Sequence, residues 1–365
     1  MGNREYDKLF YVSWLISLNG WQIRPNLEYA IETKGRLGMN LSDLSSVQIV
    51  AQNRKAAARR CVYFCVDQKF FKFALFVANQ IATKFQSRDF DICIVSAEAL
   101  DPHPLVEHHN IRVCQIDTGD LSNQVPSDER ISFAAYLRIL VPSVFKDDYD
   151  RLLYLDADFF YQRGDLNQLL DLDLKGKAVG AVRDMVQLRK PERNTKDFEL
   201  FGLPFGKYFN SGLLLIDTAE WQKQKVGEKT ISIAAQNFDR LPYHDQTALN
   251  VALHNNWAEL SLVWNYEYSH QTMYFSAMFD VCFFHFIGRR KPFKGDYGGF
   301  PKRITDEYNA FFAQHFPKAC VGLQDGLDIE NEWIKHVFVF IFHMLNARRF
   351  LRNDGRFQSD WDVII

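Results

Sequence analysis

From Cys61 onward the chain alternates short β-rich runs with longer segments of helical spacing, and few folds accommodate that rhythm. CVYFCVD (61–67) is followed by QKFFKFALFVANQIATKF, DICIVSA, IRVCQID, the helix-like ISFAAYLRILVPSVF and the run RLLYLDADFF (151–160). Alternation of this kind predicts an α/β domain with a mostly parallel central sheet flanked by helices. Such sheets bind ligands beyond the carboxyl ends of their strands. Asp67 and Asp156, which end the first and fourth of these strands, are therefore expected at one edge.

RLLYLDADFF also carries a pair of acids, Asp156 and Asp158. Asp-X-Asp occurs five times in the chain (89/91, 148/150, 156/158, 171/173, 360/362), so the spacing alone selects nothing. Only the 156/158 pair follows an apolar strand, where residues two apart face the same way and two carboxylates can share a cation. The plainer reading is a strand end whose acids cap the next turn.

Three further segments bear on that choice. GKYFNSGLLLIDTAEW places Asn210, Ser211 and Gly212 ahead of an apolar strand. HDQTALNVAL opens a helix-like run with His244, Asp245 and Gln246, where a helix start offers unpaired N–H donors. CFFHFIGRRKPF sets His285 at the end of a strand-like run, then Gly288 and Lys291, a potential metal ligand and a potential phosphate ligand six residues apart. Singly, these read as a capped strand, a capped helix and a basic surface turn.

In this order the four segments resemble glycosyltransferase family 8, the retaining transferases that include glycogenin and the bacterial lipopolysaccharide α-galactosyl- and glucosyltransferases. The resemblance runs from about Cys61 to Phe293, through YLDAD, YFNSGLLLID, HDQTALN and HFIGRRKPF. Two positions depart from the family pattern: Phe293 stands where tryptophan is usual, and Thr247 where many members carry a second acid.

The resemblance implies a GT-A fold, a UDP-galactose or UDP-glucose donor, and a manganese ion, with magnesium as the alternative. It implies Asp156, Asp158 and His285 as metal ligands, and two carboxylates with one imidazole suit such a borderline-hard ion better than calcium. It further implies that Lys291 and the Gly288 N–H grip the diphosphate. Asp67 would lie near uridine, and the backbone from Phe64 to Val66 against the base. Arg138 would reach the donor's sugar or phosphates, and Asp184, Asn210 and Asp245 the donor sugar or acceptor. Gln246 would sit beneath the anomeric carbon. An amide is a weak nucleophile there, which favours same-face substitution with Asp245 orienting the sugar; double displacement through Gln246 or Asp245 stays open. The acceptor is expected to be a glycan or lipid-linked saccharide of a bacterial cell envelope, such as lipopolysaccharide.

Two readings from other classes compete: a catalytically inactive member that binds a sugar nucleotide or scaffolds a partner, and a haloacid-dehalogenase-type phosphatase. The second normally follows its Asp-X-Asp with threonine or valine, whereas Phe159 and Phe160 stand here.

Composition narrows the partners. At 365 residues and 47% hydrophobic, the chain can bury one large core or two, and a formal net charge of −2 offers no global field for nucleic acid. The six cysteines show no close CxxC pair and read as reduced core residues. MGNREYDKLFYVSWLISLNG carries acids early and no small-residue cleavage site, so a signal peptide is not expected. No run approaches the roughly 18 apolar residues of a membrane span. The expected division is a helical extension over 1–60, the catalytic domain over 61–317 and an aromatic, basic tail over 318–365. The tail's Phe338–Phe342 run and Arg348, Arg349, Arg352 and Arg356 suit an anionic membrane surface. A cytoplasmic protein, peripheral on the inner face of a membrane, is the corresponding expectation.

Overall fold

The computed structural model describes residues 44–119, 121, 134–269, 272–288, 300–318 and 329–365, all within one compact unit, Leu41–Ile365. Its strands are β1 Gln48–Gln52, β2 Arg60–Cys65, β3 Asp91–Ser96, β4 Arg112–Asp117, β5 Arg151–Leu155, β6 Phe159–Tyr161, β7 Val179–Arg183, β8 Phe209–Asp217, β9 Ala258–Leu260, β10 Tyr266–Tyr268, β11 Phe283–Phe286 and β12 Val363–Ile364. The helices that matter here are α1 Gln68–Lys84, α2 Ala134–Val144, α3 Met185–Arg189, α4 Lys196–Leu200, α5 His244–Ala252, α6 Lys302–His315 and α7 Ile329–Asp354.

Nine strands form one sheet in the order β1-β4-β3-β2-β5-β8-β7-β9-β12. Its inner strands β2, β3, β5, β7 and β8 are buried on both faces because both faces are covered. In β2, Val62 and Phe64 join one core with α1 and α6, while Cys61, Tyr63 and Cys65 join the opposite core with α2 and the buried Trp221. β5 divides the same way, Leu153 and Leu155 against Leu152 and Tyr154. Asp67 starts α1 by accepting the Phe70 N–H at 2.9 Å, an N-cap that satisfies one of the helix's orphan donors.

The α/β expectation holds, and the run β4-β3-β2-β5 is parallel throughout. The remainder is mixed, with β7 and β9 parallel and β1, β8 and β12 antiparallel to their neighbours, which corrects the mostly parallel sheet to one that is parallel in part. β8 runs antiparallel to β5 and to β7. That reversal has a consequence for the site: it brings the start of β8, Asn210 to Gly212, to the carboxyl end of β5. A second sheet, β10-β11-β6, pairs His285 with Phe159.

The expected helical extension is corrected where residues are described. β1 pairs antiparallel with β4, Gln48 opposite Asp117, with an irregularity between Ile49 and Ala51. The basic stretch after it, NRKAAARR (53–60), is irregular up to β2 rather than helical, and Asp91 holds it by accepting the N–H groups of Ala57 (2.8 Å) and Ala58 (3.3 Å) and pairing with Arg54 (2.8 Å). An edge strand needs only one partner and no apolar face, which is why QIVAQ gives little strand signal. Residues 1–43 lie outside the described residues.

The tail also returns to the domain. β12 pairs with β9, Val363 opposite Leu260, and Trp361 packs on Trp264 at 5.0 Å. Arg356 bonds both oxygens of the buried Glu259, which also pairs with Arg183 at 2.7 Å. Arg356 is thus committed to the sheet and is removed from the basic set expected at a membrane. On α7, His343 is fully buried and stacks on Phe275 at 4.5 Å, whereas Trp333, Phe338, Ile341 and Leu345 are exposed. No described helix is long and apolar enough to cross a membrane. Cys61, Cys65, Cys93, Cys114 and Cys282 are free and buried; Cys320 lies outside the described residues.

Candidate functional site

β5 ends at Leu155, and the next residues turn out of the core. The Asp156 N–H donates to the Gly212 carbonyl (2.9 Å), and the Asp158 carbonyl accepts from the Phe286 N–H (3.1 Å), so the turn is stitched to β8 on one side and to β11 on the other. Two elements distant in sequence, the turn after β5 and strand β11, thereby deliver three ligand atoms. His285 Nε2 lies 3.3 Å from Asp158 Oδ1 and 3.7 Å from Asp156 Oδ2, and one ligand atom from each residue falls within 4.8 Å of the others. A buried imidazole facing two acids has the donor set and the spacing to hold one divalent cation.

The orientation of that imidazole follows from one backbone group. The Gly212 N–H donates to Asn210 Oδ1 (3.0 Å), which fixes that atom as oxygen. Asn265 must then offer its NH₂ to the same oxygen (2.9 Å), and its own Oδ1 faces His285 Nδ1 at 3.0 Å. Nδ1 therefore carries a proton, and Nε2 is the nitrogen that faces the carboxylates. Phe159 stacks on the ring at 4.5 Å. Gly212 is required because a Cβ there would stand 2.5 Å from His285 Cε1. Asn265→Leu is expected to weaken divalent-cation binding about 10–100-fold while leaving the fold intact. Calorimetric titration with manganese, alongside a melting curve, checks it.

Arg138, from α2, braces the other side. Its Nη1 lies 3.0 Å from Asp156 Oδ1 and donates to the Ser211 carbonyl (3.1 Å), and its Nε reaches Asp245 Oδ2 (3.1 Å) and the Ala135 carbonyl (2.9 Å). Burial opposes the guanidinium charge, but Asp156 and Asp245 hold its pKa above the usual value. Burial pushes the Asp245 carboxyl up against the pull of Arg138. The Tyr154 hydroxyl donates to Asp156 Oδ1 at 2.5 Å.

A cavity of about 380 Å³ opens beside this brace, lined among others by Asp156, Ser211, Tyr243, Asp245 and Gln246. Gln246 Oε1 accepts the Ser211 N–H (3.0 Å) and lies 3.3 Å from Ser211 Oγ. A backbone N–H can only donate, so the oxygen end of the amide faces β8. His244, at the head of α5, has φ +45°, a left-handed conformation uncommon outside glycine, which turns the chain sharply before Asp245.

The structure thus brings together Asp156, Asp158, His285, Asn210, Arg138, Asp245 and Gln246. Asp184 caps α3 at the end of β7, accepting the Val186 N–H (2.8 Å), and burial raises its pKa. Phe64 and Val66 are buried at the end of β2 beside Asp67, and Gly288 is exposed at φ +73° after β11. None of these five lines the cavity. Lys291 lies outside the described residues. Sequence reasoning missed Asn265, Tyr154 and the bracing task of Arg138. VWNY carries no motif that would single out Asn265.

A model of glycosyl transferase family 8 matches residues 61–296. General stress protein A of Bacillus subtilis (strain 168) is 38% identical over 159 residues, 42% of this chain and 52% of that protein. The lipopolysaccharide 1,2-glucosyltransferase of Escherichia coli (strain K12) is 35% identical over 152 residues, 41% and 43% of the two chains. The chain spans about half the length of the curated relatives it matches. Among solved structures, the galactosyltransferase LgtC in complex with donor and acceptor sugar analogs aligns with a TM-score of 0.55 at 20% identity, over 65% of this chain and 90% of that one. At that identity the likeness is one of fold, the GT-A type of α/β sheet.

Proposed function

This chain belongs to glycosyltransferase family 8, and on that premise we propose that it moves galactose or glucose from a UDP-sugar to a hydroxyl of a cell-envelope glycan such as lipopolysaccharide, with retention at the anomeric carbon. The observation that carries the reading is the Asp156, Asp158 and His285 cluster beside a cavity into whose wall Gln246 is set. The names of the relatives support the acceptor class. We place the catalytic core at 61–317, with β1 and the C-terminal segment as additions to the edges of its sheet.

In this reading Asp156, Asp158 and His285 hold manganese in preference to magnesium. A divalent cation bound there supplies Lewis-acid stabilisation of the charge on the departing diphosphate, so no protein acid need protonate it. Lys291 and the Gly288 N–H grip the diphosphate, Asp67 and the Phe64–Val66 backbone the nucleoside, and Asp184 and Asn210 the sugar. Arg138 keeps Asp156 and Asp245 in register. Asp245 orients the sugar while ion-paired to Arg138, a pairing that lowers its power as a nucleophile. Gln246 presents its amide oxygen to the anomeric centre as that carbon becomes cationic. Same-face attack by the acceptor hydroxyl fits this arrangement.

UDP release from UDP-galactose or UDP-glucose is expected only with a divalent cation and is expected to stop in excess EDTA. Turnover of p-nitrophenyl phosphate with magnesium, without UDP release, would overturn the reading.

The protein is further proposed to act in the cytoplasm, peripheral to an anionic membrane through α7. One side of that helix packs on Tyr274 and Phe275 through Phe340 and His343, and the other exposes Phe338, Ile341 and Leu345, with Arg348 also exposed. Phe338→Glu with Leu345→Glu is expected to lower flotation with anionic vesicles about tenfold at unchanged UDP release. Equal flotation of both proteins would assign the exposed face another purpose.

A further inference from the structure

Asp197 belongs to none of the motifs above, yet it is 3% exposed and sits where two parts of the site meet. It lies in the first turn of α4. One of its oxygens, Oδ1, accepts both the Tyr208 hydroxyl (3.0 Å) and the Thr247 hydroxyl (2.5 Å). Tyr208 immediately precedes β8 and stands three residues before Ser211, whose N–H holds Gln246 Oε1. Thr247 follows Gln246 in α5, and its Oγ1 also accepts the Tyr243 N–H (3.0 Å), closing the first turn of that helix. The segments that hold Gln246 from either side are therefore tied to one buried carboxylate. Burying such a group is costly unless it is hydrogen-bonded, and both hydroxyls that compensate it come from those segments.

We propose that Asp197 is a positioning residue for the transfer: it sets the spacing between the start of β8 and the first turn of α5, and so the place of the Gln246 amide oxygen against the sugar. The proposal rests on the glycosyltransferase reading and deepens it. The Gln246 side chain is held by Ser211, with the Tyr208 hydroxyl also interacting with it, and its backbone by α5. Release of Thr247 and Tyr208 lets the turn shift by a fraction of an ångström to an ångström, and misplacement on that scale costs up to about 10²-fold in rate. Donor affinity depends on other groups and is not expected to follow.

The test uses the full chain with Asp197→Ala, Asp197→Asn and the double variant Tyr208→Phe with Thr247→Val. Asp197→Ala is expected to lower kcat for UDP release about 10–100-fold with the UDP-sugar KM within about threefold of wild type. Asp197→Asn keeps an oxygen in the place of Oδ1, where both bonds are received, and is expected to retain kcat within about threefold. A merely structural residue would lower the melting temperature and leave the turnover of the folded fraction unchanged. If Asp197→Ala does not fold, the double variant carries the same expectation of lost kcat at unchanged KM. Normal kcat in the alanine and double variants, or an asparagine variant as impaired as the alanine one, would overturn the proposal. Hydrogen exchange over residues 241–250 separates this failure from that of the functional reading. A wild type that releases no UDP from either donor sinks the reading alone. Asp197 then stands if exchange in this stretch is at least about tenfold faster in the alanine variant and unchanged in the asparagine one, and falls if all three proteins exchange alike.

Discussion

Asp158→Asn is expected to lose divalent-cation affinity, UDP-sugar affinity and turnover together. Asp158 Oδ1 faces His285 Nε2 at 3.3 Å, and the substitution replaces one of only two charged ligands with a neutral amide at constant shape. Changing an outer partner of a metal ligand typically costs about 10–100-fold in affinity. Loss of a ligand itself should exceed that, and kcat should fall by at least the about 10²–10³-fold seen when one electrostatic stabiliser of a transition state is removed. The ion acts on the diphosphate in both ground and transition states, so the donor KM rises as kcat falls. The fold is expected to survive, because removing a carboxylate relieves the repulsion of two acids in one turn. Manganese titration, donor calorimetry and UDP release on the same preparation provide the check. A variant that binds manganese normally would detach the pair from any metal.

Gln246→Ala is expected to behave differently, with kcat lower by about 10²–10³-fold and donor affinity nearly unchanged. The alternative that Gln246 merely caps α5 has a structural answer. The residue at the helix start is Tyr243, which makes no side-chain cap bond, and the Gln246 amide oxygen instead accepts from Ser211 of β8. Truncation leaves the Ser211 N–H facing a cavity of about 380 Å³ that admits water, so the stability cost is expected to stay near 1 kcal/mol. Steady-state kinetics with melting temperatures on the same protein separate the outcomes. Near-normal kcat would remove Gln246 from the reacting centre.

What could be read from the chain followed local periodicity. CVYFC and RLLYL are apolar on both faces, and a period of two then places Asp156 and Asp158 on one side at a strand end. HDQT opens a helix because it precedes a run at helical spacing. These are short-range patterns, complete within ten residues, and they marked the pair, Gln246 and His285 as candidates, whose roles only the family resemblance implied. The antiparallel entry of β8 was not legible, since an apolar strand reads the same in either direction. Nor was β1, a short edge strand held by its pairing with β4, by Arg112 on Gln52 and by Ile49 against the core. The tail's return was hidden because Arg356 gives no sign that its carboxylate lies 97 residues earlier. The same holds for Asn265 and His285, 20 residues apart, and for Asp197 and Thr247, 50 apart. A hydrogen bond acts over about 3 Å in space and leaves no periodic trace along the chain. Residue types and strand ends were therefore determined by the sequence alone, whereas only the tertiary structure decided which side chain holds another in place.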